Sequence, residues 1–117
     1  MAENAGLLIL LAVGAYYFLS ASKGSIAYRN MNGQAITEIT CGNSVTFDVS
    51  GYTRVWLQRL KNGTLDFDQP FDLPMPAYIL NCTNDIGVYD VVAYEIDANG
   101  NKGTLIGQTK LTVLPQA

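Results

Sequence analysis

Asn84 to Tyr94 reads NDIGVYDVVAY, and its first half decides the fold. Asp85, Gly87 and Tyr89 stand at alternate positions, and Val88–Ile96 behind them is rich in Val, Tyr and Ile. Asn, Asp and Gly turn a chain, while β-branched and aromatic residues suit a pleated, half-buried surface. The stretch therefore predicts a corner that delivers a strand, with Tyr89 at the bend.

Working outward, turn signals recur along the chain: NG at 32–33, GN at 42–43, SG at 50–51, NG at 62–63, PMP at 74–76 and NGN at 99–101. Short runs of Val, Ile, Thr, Tyr and Phe lie between them. Turns spaced by roughly eight to twelve residues mark an antiparallel β-sandwich or barrel. No segment after residue 24 repeats with a helical period. The expected strands are Ala35–Thr40, Ser44–Val49, Arg54–Leu60, Thr64–Phe67, Ala77–Cys82, Val88–Ile96 and Thr104–Leu114. Pro70, Pro74 and Pro76 cannot donate to a central ladder, so 69–76 reads as an edge or a crossing loop.

Asp85-Ile86-Gly87-Val88-Tyr89-Asp90-Val91 resembles the D-x-G-x-Y-x-C corner of immunoglobulin-like domains. The resemblance covers roughly residues 33–114. It implies a mainly β, Ig-like antiparallel sandwich whose tyrosine hydroxyl ties back to upstream backbone. It also places Trp56 on the third strand as the core tryptophan, with Tyr89 and Val91 beside it. The chain departs from the pattern at the usual inter-sheet disulfide. Val91 stands at the second cysteine position and Val45 or Phe47 at the first, as in many bacterial and viral members of the superfamily. The two actual cysteines, Cys41 and Cys82, end the first and fifth expected strands. That topology puts both ends at one pole of one sheet. A disulfide there would close a loop of about 40 residues, worth roughly 3–4 kcal/mol; two reduced thiols are the alternative.

The other end of the chain has a different character. Residues 5–21, AGLLILLAVGAYYFLSA, carry no charge. As a helix they form a rod of roughly 26 Å, at the short end of what spans a bilayer's hydrocarbon. Leu7, Leu8, Ile9, Leu10, Leu11, Val13, Phe18 and Leu19 supply the apolar surface, and Tyr16 and Tyr17 sit where amphipathic rings favour the headgroup level. A signal peptide would open on a basic region, which MAEN lacks. The run is uniform rather than two-faced, which favours a membrane anchor, or a helix buried among neighbouring subunits, over a helix on a soluble core. Lys23 and Arg29 behind it lean toward a cytoplasmic domain. The expected organisation is an anchor helix over 1–22, a connector over 23–32 and a sandwich over 33–117. Within the connector, Ile26–Tyr28 is either a first strand or part of an extended tether.

Among 117 residues there is no histidine, which removes the commonest general base and metal ligand. The seven basic residues are scattered singly under a net charge of −3, which disfavours nucleic acid. No catalytic or cofactor motif stands in the chain, so the expectation is a non-enzymatic protein without a cofactor, resident metal or small-molecule substrate. Asp97-Ala98-Asn99-Gly100-Asn101 begins like a calcium loop, but Lys102 takes the glycine position of an EF-hand and a tight hairpin explains it better. Asp66, Asp68 and Asp72 read as solvated, and Asn62-Gly63-Thr64 and Asn81-Cys82-Thr83 are formal glycosylation triplets without an assigned role.

The corner assignment points Tyr89, Val91 and Ala93 inward. It leaves Val92, Tyr94 and Ile96 on the opposite face, where Val55 and Leu57 are expected beside them. Apolar residues on a face that should be polar mark an interface, unless Ile26–Tyr28 covers them. Anchor, connector and sandwich together resemble minor structural proteins of membrane-containing bacteriophages. The resemblance implies an assembly role between an internal viral membrane and the capsid shell, with lipid and other structural proteins or copies of itself as partners. A pilin-like filament subunit and a membrane-anchored adhesion module are the alternatives.

Overall fold

The computed structural model describes residues 25–116. The expected anchor, from Leu7 to Leu19, lies outside the described residues. Among these, every regular element is a strand: β1 (Ile26–Arg29), β2 (Ala35–Ile36), β3 (Glu38–Thr40), β4 (Ser44–Val49), β5 (Arg54–Lys61), β6 (Thr64–Asp72), β7 (Tyr78–Ile79), β8 (Gly87–Ile96) and β9 (Lys102–Leu114). They form two sheets, in the orders β2-β1-β4-β7 and β3-β9-β8-β5-β6. Ile26–Arg29 is thus the strand that opens the sandwich, paired with β4 from Ile26↔Val49 to Arg29↔Thr46. It lies in the four-stranded sheet, so it neither tethers the domain from outside nor covers the outer face of the other sheet.

Strict alternation builds the core. On β4 Val45, Phe47 and Val49 are buried between Ser44, Thr46 and Asp48. On β8 Tyr89, Val91 and Ala93 turn the same way and meet them across the sandwich. The segment expected as one strand over Ala35–Thr40 switches sheets at Thr37. β2 pairs with β1, whereas β3 runs parallel to β9. β6 runs on through Pro70 to Asp72 because it is an edge, where a missing amide costs no ladder bond. Its proline and aspartates blunt this edge, and β7, only two residues long, leaves little of an edge on the other sheet to invite pairing.

The corner explains itself atom by atom. The Tyr89 hydroxyl donates to the Asp85 carbonyl at 2.8 Å. The Asp85 carboxylate in turn accepts from the Asn81 amide at 2.7 Å and the Tyr78 hydroxyl at 2.8 Å. Gly87 sits at φ +152°, and a Cβ there would come within 2.9 Å of the Asn62 side chain. Asn62 and Gly63, at φ +51° and +86°, form the two-residue hairpin loop between β5 and β6. Asn62 also accepts from the Val88 amide at 2.9 Å. The triplet discounted as a glycosylation signal is therefore a hairpin that clamps the start of β8.

Cys41 and Cys82 are joined, with Cα atoms 5.1 Å apart and a sequence separation of 41. They share one pole, but Cys41 leaves β3 of the five-stranded sheet and Cys82 follows β7 of the other. The bond ties the two sheets together rather than two strands of one sheet, and the loop it closes is worth roughly 4 kcal/mol of chain entropy.

Candidate functional site

Two surfaces carry chemistry: the outer face of the five-stranded sheet, and a cleft at the open side of the sandwich. The outer face is set by register. Trp56 lies opposite Tyr94, Leu57 opposite Ala93 and Gln58 opposite Val92. Since Ala93 is fully buried between the sheets, Leu57 must point inward with it, and Val55 follows by alternation. Both belong to the main core at 6% and 0% exposure. This corrects two sequence readings together. Val55 and Leu57 leave the candidate interface, and Trp56, expected in the core, joins it half-buried with Val92, Tyr94 and Ile96.

A second, smaller apolar cluster lies on this face, outside the sandwich. Leu60 and Val92 are its centre, with Tyr94 and Leu105 packed against them. Polar groups are fitted around it. The Trp56 indole donates to Asp68 at 2.7 Å, the Tyr94 hydroxyl donates to Gln58 at 3.0 Å, and the Lys102 ammonium sits 4.9 Å from the centre of the Tyr94 ring. Gln108, opposite Val92, keeps a buried amide oxygen without a hydrogen-bond partner. Such an oxygen costs about 1–3 kcal/mol unless a donor reaches it.

The cleft lies where the short β7 leaves the sheets apart. A cavity of about 300 Å³ there is lined by Tyr28, Arg59, Lys61, Asp66, Tyr78, Asp85 and Tyr89 among others. Arg59 enters it with a bidentate pair to Asp66, at 2.8 and 3.0 Å. Its guanidinium also lies 5.3 Å from the Tyr89 ring and 5.9 Å from that of Phe67. Burial alone would lower the Arg59 pKa, but the Asp66 carboxylate outweighs it and the net direction is up. Burial pushes the Tyr28 hydroxyl up to about 12, partly offset by the nearby Arg59. Lys61 donates to the Asn84 carbonyl beside them. The groups in this cleft largely satisfy one another, and the Arg59–Asp66 pair joins the neighbouring strands β5 and β6 of one sheet. Sequence reasoning missed it because Arg59 is a lone cation whose inward direction depends on the same register as Leu57.

The remaining sequence candidates are separate. Asp66 pairs with Arg59, Asp68 with Trp56 and Asp72 with Arg54 at 3.6 Å. Asp97 accepts from the amides of Asn99 and Asn101 at 2.8 and 2.9 Å, which closes the hairpin. Among the described residues no three acidic or cysteine side chains gather as metal ligands would. Near that hairpin a shallow depression is lined by Tyr52, Arg54, Pro70, Glu95, Ile96 and Gly100. The Tyr52 hydroxyl donates to Glu95 at 2.8 Å across it, a bond that holds the phenol's pKa up.

The strand order and the tyrosine corner are those of an Ig-like sandwich. No family model matches the chain, and no curated protein matches it. A solved structure with a similar arrangement is the CARDB domain of the PF1109 protein from Pyrococcus furiosus, in complex with di-metal ions. It is 12% identical over 83% of this chain and 99% of its own, at a TM-score of 0.34. At that distance the fold assignment rests on this chain's own topology.

Proposed function

We propose that the chain is a non-enzymatic assembly protein, held at a membrane by residues 5–21, whose sandwich is a passive clamp for neighbouring structural proteins. Within that class the reading is a minor capsid protein that links an internal viral membrane to the capsid shell. One observation carries the membrane part of this reading. The uncharged run stops at Ala21, and β1 is already paired at Ile26. Residues 22–25 reach at most roughly 14 Å. A sandwich on so short a lead stays against whatever surface takes up the run, with the pole of Ser25, Tyr52 and Gly100 toward it. The disulfide and the C-terminal end of β9 lie at the far pole, toward the shell.

The test is fractionation of purified particles and host membranes. The protein is expected to resist high salt and to be released by detergent, in particles as well as membranes. Release by salt alone ends the membrane reading, and absence from particles ends the capsid reading.

A further inference from the structure

The outer face of the five-stranded sheet carries lysines on β9 and aspartates on β6. On this face β9 presents Lys102 and Lys110, and β6 presents Asp68 and Asp72. Between these strands lie Trp56, Leu60, Val92 and Tyr94, together with Asp90 opposite Lys110 and Arg54 at 3.6 Å from Asp72, whose carboxylate stays exposed. Cross-strand levels follow from the register. Lys102, Ile96, Arg54 and Asp72 share the level nearest the N-terminal pole, and Leu105, Tyr94, Trp56 and Pro70 share the next.

We infer that this face packs against the same face of a second copy, about a two-fold axis parallel to the strands. Such an axis preserves level and exchanges sides. It lays β9 over the partner's β6 and β8 over the partner's β5. Lys102 then meets the partner's Asp72, and Tyr94 meets the partner's Trp56, each contact occurring twice. Self-complementary contacts of this kind are what a closed pair requires, and Trp and Tyr are the residues that anchor interfaces. The other in-plane axis, perpendicular to the strands, would set lysine on lysine. It would also send the two Ser25 ends to opposite poles. The strand-parallel axis keeps both ends at one pole, so both apolar runs can enter one membrane. That last step rests on the proposed function, while the charge match does not.

Zero-length carbodiimide coupling of the full chain in detergent micelles tests the pair. This reagent joins an amine to a carboxylate only in direct contact, and takes up the departing oxygen as urea. Within one copy Lys102 and Asp72 are three strand spacings apart, roughly 14 Å, too far to couple. The expected product is a covalent dimer with a Lys102–Asp72 amide found by mass spectrometry. Lys102→Glu should remove it and weaken dimerisation on the order of tenfold by sedimentation, and adding Asp72→Lys should restore both. A monomeric wild-type chain, a face occupied by the chain's own residues 5–21, or coupling of Lys102 to other carboxylates instead overturns the pair. A monomer that still resists salt extraction overturns the pair alone. A cross-linked dimer that salt releases overturns the membrane reading alone.

Discussion

Val91 and Val92 are neighbours on β8, and their exposures are nearly equal at 1% and 3%. Their surroundings differ. Val91 is sealed between two sheets among Val45, Phe47 and Leu57. Val92 lies outside, under a thin roof of Tyr94 and Leu105 with Leu60. Burial is therefore not one quantity. On the inner face it measures distance from water on every side, and on the outer face only the cover provided by a few movable side chains.

Introducing a charge breaks that equality most directly. Val91→Asp puts a carboxylate between the sheets, where the facing position on β5 holds only Arg59, already paired to Asp66, and should cost about 3–4 kcal/mol, enough to unfold much of a marginally stable domain. Val92→Asp can swing toward solvent and should cost about 1–2 kcal/mol. Urea unfolding of both variants measures the gap. Equal losses would mean that the outer face is sealed as tightly as the core.

A smaller effect sharpens the description of the inner face. Tyr28 titrates at about 12 in the folded chain against 10.0 as a free phenol. A pKa raised by folding means that the native state holds the proton more tightly. The stability it reflects is complete below pH 10 and is lost as pH rises from 10 to 12. The loss is about 2–3 kcal/mol over that window. Unfolding curves at intervals from pH 9 to 12 should show it in the wild type and lack that share of it in Tyr28→Phe. The smallest expected change is Tyr89→Phe, which removes the hydroxyl bond to the Asp85 carbonyl and should cost about 1 kcal/mol without loss of fold.

The corner was legible in sequence because its parts are local. Asp85, Gly87 and Tyr89 lie within five residues, and the bond between them spans only a bend. The hairpins at Asn62-Gly63 and Asp97–Asn101 were legible for the same reason. The direction of Trp56 was not. Val55, Trp56, Leu57 and Leu60 are apolar at both parities, so hydrophobic alternation, which normally names the inner set, gave no sign. The family resemblance put Trp56 inside, whereas the pairing with β8 puts Leu57 there. Cys41 and Cys82 were legible as a pair at one pole, but the switch of sheets at Thr37 turned a link within a sheet into a link between sheets. The Arg59–Asp66 pair left no mark in the sequence at all.

The sequence by itself determined the turns, most of the strands between them, the tyrosine corner and the uncharged run of residues 5–21, because each follows from chemistry within a few neighbours. Only the tertiary structure decided which side of β5 meets the core and which side is left outside it. A strand's period of two divides its residues into two sets without ranking them. The ranking comes from register with β8, a contact between residues far apart in the chain, and when both sets are apolar nothing shorter in range can supply it.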